Sequence, residues 1–116
     1  LTSVKNFLSV VELDVFECPE LKRISGLSRL HKIRIVWCPN VEALEDVPAL
    51  DSVVLEDATI ETLPGYLQAV NPRYLKLVCS KKLCESLSPG RSEWNKISHI
   101  RELNIVDLED LRQTQS

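Results

Sequence analysis

Residues 10–24 read VVELDVFECPELKRI and residues 30–44 read LHKIRIVWCPNVEAL. Laid over one another, Val10, Leu13, Val15, Cys18, Leu21 and Ile24 fall on Leu30, Ile33, Ile35, Cys38, Val41 and Leu44, each twenty positions later. Proline follows the cysteine both times (Pro19, Pro39). A third set, Leu50, Val53, Leu55, Ala58, Ile60 and Leu63, keeps the interval except that its fifth and sixth members come one place early. Self-similarity at a period of roughly 20–29 residues signals a solenoid, in which no turn buries its apolar face alone and stacked neighbours share a continuous core.

The pairs Leu13/Val15, Ile33/Ile35 and Val53/Leu55 alternate as strand residues do, one face inward and one outward. Identical register in successive turns predicts strands that stack in parallel. Cys18 and Cys38 fall where the chain turns inward after the strand, a place for a small side chain that tolerates burial. The following proline ends the strand by removing a donor. Leu21/Ile24 and Val41/Leu44 are expected to pack a return segment on the outer side. The spacing apolar-x-x-apolar-x-apolar-x-x-Cys is that of a leucine-rich repeat. The expected fold is therefore α/β: a curved parallel sheet on the concave face, loops and short helices on the convex face, and about five repeats with a C-terminal cap.

Regularity extends over about residues 8–64; residues 65–116 read as irregular repeats and the cap, all within one domain, 1–116. Leu75/Leu77 and Leu103/Ile105 continue the strand pairs, so the spacings run 20, 20, 22 and 28. Ile100 opens the fifth strand pair, and Leu108 and Leu111 follow it. Residues 63–70 (LPGYLQAV) predict a short convex helix with Pro64 near its start and Leu67 and Val70 facing in. The insertion from Lys81 to Lys96 carries Pro89-Gly90 as its turn signal. Trp94, Ile97 and Ile100 are expected to form an apolar stripe over the end of the stack. The chain opens in what reads as the end of an earlier repeat (Leu1, Val4, Phe7), the expectation for a fragment of a longer solenoid with an apolar end exposed.

Composition agrees with one cored domain: 44 % of the 116 residues are hydrophobic, 27 % are charged, and only 5 % are aromatic because aliphatic side chains do the stacking. A net charge of -3 offers no long-range attraction to nucleic acid or anionic lipid. No apolar run has the length of a membrane span, and no signal-peptide pattern is present.

Four cysteines raise the question of metal or disulfide. Cys18 and Cys38 should lie one strand spacing apart, about 5 Å, and their periodic slot already accounts for them as buried thiols of a reducing compartment. Cys79 and Cys84 with His99 make a metal set on paper but lack paired C-x-x-C knuckles, and filler of the fourth turn is the simpler reading. No Asn-x-Ser/Thr sequon is present. Neither His31 nor His99 lies in a nucleophile motif, and Gly26, Gly65 and Gly90 are isolated, so no phosphate-cradling loop exists. The chain does not read as an enzyme, and no cofactor is expected in it.

The informative surface is the concave one. Its strands alternate in charge: Glu12/Asp14/Glu17, His31/Lys32/Arg34, Asp51/Glu56/Asp57, then Arg73/Lys76. Cross-strand opposite charges stabilise by roughly 0.2–1 kcal/mol per pair, which is a purely structural account of the ladder. Beside it runs a less polar row of Phe16, Val36, Trp37, Val54, Tyr74, Val78 and Val106. Exposed aromatics beside paired charges compose a protein-binding patch. Phe16 and Trp37 can alternatively cover the edge of the core. Geometry selects Arg34, Trp37, Glu56, Tyr74 and Lys76 as the candidate contact residues.

LSVVELDVFECPELKRI and LSRLHKIRIVWCPNVEAL resemble the leucine-rich repeats of plant intracellular NB-LRR (nucleotide-binding, leucine-rich-repeat) immune receptors, and the Cys-Pro after the strand resembles their coiled-coil class. Residues 63–100, with Cys-Ser after the strand and the segment SEWNKISH, are similar to the C-terminal end of such receptors from cereal grasses. The resemblance implies a cytoplasmic domain that senses a pathogen effector or a modified host protein. It also implies contact with the parent's own nucleotide-binding domain, holding that switch inactive. ADP or ATP would belong to that absent domain, and neither nucleic acid nor membrane insertion is implied. The alternative is the substrate-binding repeats of an F-box ubiquitin ligase, whose repeats run nearer 26 residues; a third reading is a bare scaffold.

Overall fold

The computed structural model describes residues 3–5 and 7–110; Leu1 and Leu111, named above, lie outside them. The strands of the face expected to be concave are β2 (Glu12–Phe16), β4 (Lys32–Val36), β6 (Ser52–Asp57), β7 (Tyr74–Cys79) and β8 (Glu102–Asp107). They form one parallel sheet in the order β2-β4-β6-β7-β8, so the chain coils through four successive crossovers. The register matches the repeat: Leu13 pairs with Ile33, Ile33 with Val53, Val53 with Leu75, and Leu75 with Leu103. The same residues form the core, with Ile33, Val53 and Leu75 wholly inaccessible and Leu13 and Leu103 partly buried at the two ends.

The opposite side, expected to be convex with loops and short helices, is instead a second parallel sheet: β1 (Ser3–Lys5), which precedes β2, then β3 (Arg23–Ser25) and β5 (Ala43–Glu45), which follow β2 and β4. Val4, Ile24 and Leu44 stack through it in register, all buried. Path length explains the difference. A strand advances about 3.3 Å per residue and a helix 1.5 Å, so a helical return over the same span needs about twice the residues. The twenty-residue turns cannot supply them. Among the described residues, the crossovers between strands carry helices only where the turns lengthen: α1 (Tyr66–Ala69) between β6 and β7, then α2 (Lys81–Glu85) and a 3-10 turn (Trp94–Lys96) between β7 and β8. As expected, Leu67 and Val70 face inward beside α1.

Each of the two turns that carry β2 and β4 has two corners made by residues in the left-handed region. Glu17 (φ 51°) and Trp37 (φ 57°) end the concave strands, and Gly26 (φ 69°) and Asp46 (φ 52°) end the convex ones. The first pair of corners rotates Cys18 and Cys38 toward the core; Cys38 is buried and Cys18 partly so. The third turn lacks this kink. β6 runs one residue further, strand alternation continues, and Asp57 rather than Ala58 takes the inward slot at 1 % exposure. Its Oδ1 accepts hydrogen bonds from the Thr59 backbone N–H at 2.8 Å and the Thr59 hydroxyl at 2.5 Å. Asp57 therefore does not belong to the concave charge ladder.

Ile97 and Ile100 are buried and Trp94 packs against the same core, all three in the segment that joins β7 to β8. Glu93 Oε1 accepts from the Leu63 N–H at 2.6 Å, and Lys96 Nζ donates to the Leu63 carbonyl at 2.9 Å. The two side chains bond each other at 3.1 Å, so both polar groups of Leu63 are held by one ion pair. His99 Nε2 donates to the Val70 carbonyl at 3.0 Å, tying the same segment to the end of α1.

Candidate protein-recognition surface

Strand register sets the outward side chains of β4, β6 and β7 in three rows. Lys32, Ser52 and Tyr74 form the first, Arg34, Val54 and Lys76 the second, Val36, Glu56 and Val78 the third. All nine line a single hollow of about 390 Å³. Four of the five residues selected from the sequence, Arg34, Glu56, Tyr74 and Lys76, are thus brought together. Trp37 is not: it sits at the left-handed corner after β4, half-buried, with its backbone N–H donating to the Glu56 carbonyl at 2.8 Å. The positive φ takes Trp37 out of the strand's alternation, which sequence spacing does not reveal.

The rows differ in polarity for a physical reason. Val36 and Val78 are 6 % and 3 % exposed although they point out of the sheet, so the third row is an apolar floor interrupted by Glu56. Above it, Lys32, Arg34 and Lys76 outnumber the one carboxylate of the hollow, Glu56. The groove is locally cationic in a chain of net charge -3. Arg34 is positioned by two neighbours on β2. Its guanidinium lies 3.8 Å from Asp14 Oδ2 and 5.2 Å from the centroid of the Phe16 ring. Phe16 therefore stands exposed under a cation, an arrangement worth about 0.5–1 kcal/mol at such sites. Tyr74 is steered from the other side, its hydroxyl accepting from Asn104 Nδ2 at 3.3 Å.

Elsewhere in the charge ladder Asp51 and Arg73 pair at 3.3 Å, and on the small sheet Arg23 and Glu45 pair at 3.3 Å; all four are well exposed, and such pairs contribute little. His31 lies exposed ahead of β4, its Nδ1 donating to the Arg29 carbonyl at 2.7 Å.

The cysteines separate into two kinds. The Cys18 and Cys38 thiols each donate to the carbonyl two residues back, Phe16 at 3.2 Å and Val36 at 3.4 Å. Cys79 and Cys84 instead bring their sulfurs to 3.2 Å of each other, Cys79 at the end of β7 and Cys84 in α2. Burial pushes the Cys38, Cys79 and Cys84 thiols up, and for Cys79 the neighbouring Cys84 adds to it. Their protonated forms are the stable ones. His99 is bonded to Val70 and does not join the cysteine pair. Among the described residues no three His, Cys, Asp or Glu side chains converge as a metal-holding group. No helix among them is long and apolar enough to cross a membrane.

Sequence reasoning missed the Glu93–Lys96 clamp and the bridge from Asn40 Nδ2 to the Pro19 carbonyl, 2.6 Å, which ties the first two corners together. The i,i+3 spacing of Glu93 and Lys96 was visible, whereas their target at Leu63 lies thirty residues away. No protein-family model, curated protein or solved structure matches the chain.

Proposed function

We propose that this chain is a leucine-rich-repeat recognition region of a plant coiled-coil NB-LRR immune receptor. In this reading it senses a pathogen effector or modified host protein in the cytoplasm and helps hold the parent's nucleotide-binding switch inactive. It works by binding, without catalysis and without a cofactor of its own. The observation that carries the reading is the groove. Three adjacent parallel strands present Arg34, Glu56, Tyr74 and Lys76 around apolar Val36, Val54 and Val78, with Arg34 and Tyr74 held in place by neighbours. Charged and aromatic groups around a desolvated floor have the composition of an interaction hot spot. The Cys-Pro repeats and the SEWNKISH tail support the family part of the reading.

The test is made in the full-length parent, in a reconstituted defence assay. Joint replacement of Arg34, Tyr74 and Lys76 by Ala should abolish recognition while the thermal melt of the variant chain stays near wild type, because surface substitutions cost within about 0.5 kcal/mol each. Unchanged recognition by the folded triple variant would sink the proposal.

A further inference from the structure

The charge layout of the groove narrows the kind of partner it accepts, an inference that rests on the recognition reading above. Arg34 and Lys76 stand in one row on either side of Val54, on β4 and β7. They are separated by two strand spacings, about 9.6 Å. A single carboxylate over Val54 lies between both cations. Lys32 adds a third positive charge in the row before. Neither Lys32 nor Lys76 has a carboxylate within ion-pair distance among the described residues, so their charge is directed to solvent. Arg34 shares Asp14 at the longer distance of 3.8 Å and is stacked on Phe16, which aims it without neutralising it at short range.

The next row along the strands has the opposite preference. Val36 and Val78 offer apolar contact, and Glu56 between them repels a second acid. Successive rows lie two residues apart along an extended chain, about 6.7 Å.

We propose that the groove binds an extended acidic segment of a partner protein, with Asp or Glu over the Arg34–Val54–Lys76 row and an aliphatic side chain two residues away over Val36 and Val78. The attraction comes from the cations and the register from Glu56, since like-charge juxtaposition discriminates against the shifted alignment.

The experiment measures fluorescence anisotropy of labelled synthetic peptides on the 116-residue chain. The probes are repeats of Glu-Ser-Val-Ser, a twin of Lys-Ser-Val-Ser, and Glu-Ser-Glu-Ser. The first should bind best and weaken as salt rises. Arg34→Gln with Lys76→Gln should weaken it by about tenfold or more, and Arg34→Glu with Lys76→Glu should transfer the preference to the lysine twin. Glu56→Gln should let Glu-Ser-Glu-Ser approach the affinity of the first probe. A wild-type preference for the lysine twin, absence of binding, or indifference to both cation variants with an unchanged melt would overturn the acidic-segment inference. The defence assay keeps the two readings apart: if the concave triple variant loses recognition while the peptides show no acidic preference, the recognition surface stands and this inference fails.

Discussion

The backbone N–H of Cys18 donates to the sulfur of Cys38 at 3.3 Å, twenty residues and one turn away. Cys38 thus fills a core position, satisfies a donor of the neighbouring turn, and gives its own proton to the Val36 carbonyl. That triple engagement explains why a cysteine sits at this corner without a bond or a metal. Cys38→Ala should lower stability by about 1–2 kcal/mol, from the lost sulfur volume and the orphaned Cys18 N–H. Urea unfolding measures it. Adding reductant to the wild type should leave the midpoint unmoved; a large shift would mean that the sulfurs are bonded.

The left-handed corner at Glu17 offers a backbone test. A β-branched side chain is badly accommodated at φ 51°, so Glu17→Val should cost about 1–2 kcal/mol. Glu17→Asn should leave stability unchanged or raise it by up to about 0.5 kcal/mol, because Asn tolerates this conformation. The side chain is exposed, so packing does not confuse the comparison. Equal midpoints for the two variants would refute the assignment of strain to this corner.

The clamp on Leu63 should behave as a unit. Glu93→Ala leaves the buried Leu63 N–H without its acceptor and Lys96 without its partner, and should cost about 2–3 kcal/mol. Glu93→Gln keeps an oxygen for the N–H and should cost about 1 kcal/mol. A double-mutant cycle with Lys96→Met should show coupling, since the two side chains bond each other and hold the backbone of one residue; additivity would mean that they act separately.

Alkaline pH should weaken the fold. The Cys38, Cys79 and Cys84 thiols and the Tyr66 phenol are all raised above their ordinary values, chiefly by burial. For a raised group the contribution to stability is complete below the unfolded pKa and is lost as pH climbs toward the folded one. With ordinary values of 9.0 for the thiols and 10.0 for the phenol, the urea midpoint should be flat below them and fall steadily above. A midpoint that rises there would contradict the burial of these groups. In the same sense, native Cys79 should be alkylated slowly at neutral pH and faster after unfolding, because the thiolate is the reacting species.

The solenoid, its register and its inward residues were legible in the chain because side-chain alternation and the twenty-residue interval are local properties. Ile33, Ile35, Leu44 and Val53 are buried where the period places them, and β7 and β8 lie at their expected positions. Four of the five candidate contacts line one groove for the same reason. Trp37 is outside that set because it follows the outward Val36 and sits at a positive-φ corner, and Asp57 entered the core because the next turn lacks that kink. Both outcomes depend on how neighbouring turns stack on the corner.

By itself, then, the sequence determined which side chains repeat, which face each strand turns inward, and where the regular turns stop. Those follow from a strand period of two and an interval that brings like residues into register. Only the tertiary structure decided that twenty-residue turns return as strands and longer ones as helices, since that depends on the distance to be spanned. It alone joined Glu93 and Lys96 to Leu63, and set Arg34 and Lys76 on either side of Val54, because these contacts join turns that are distant along the chain and adjacent in the stack.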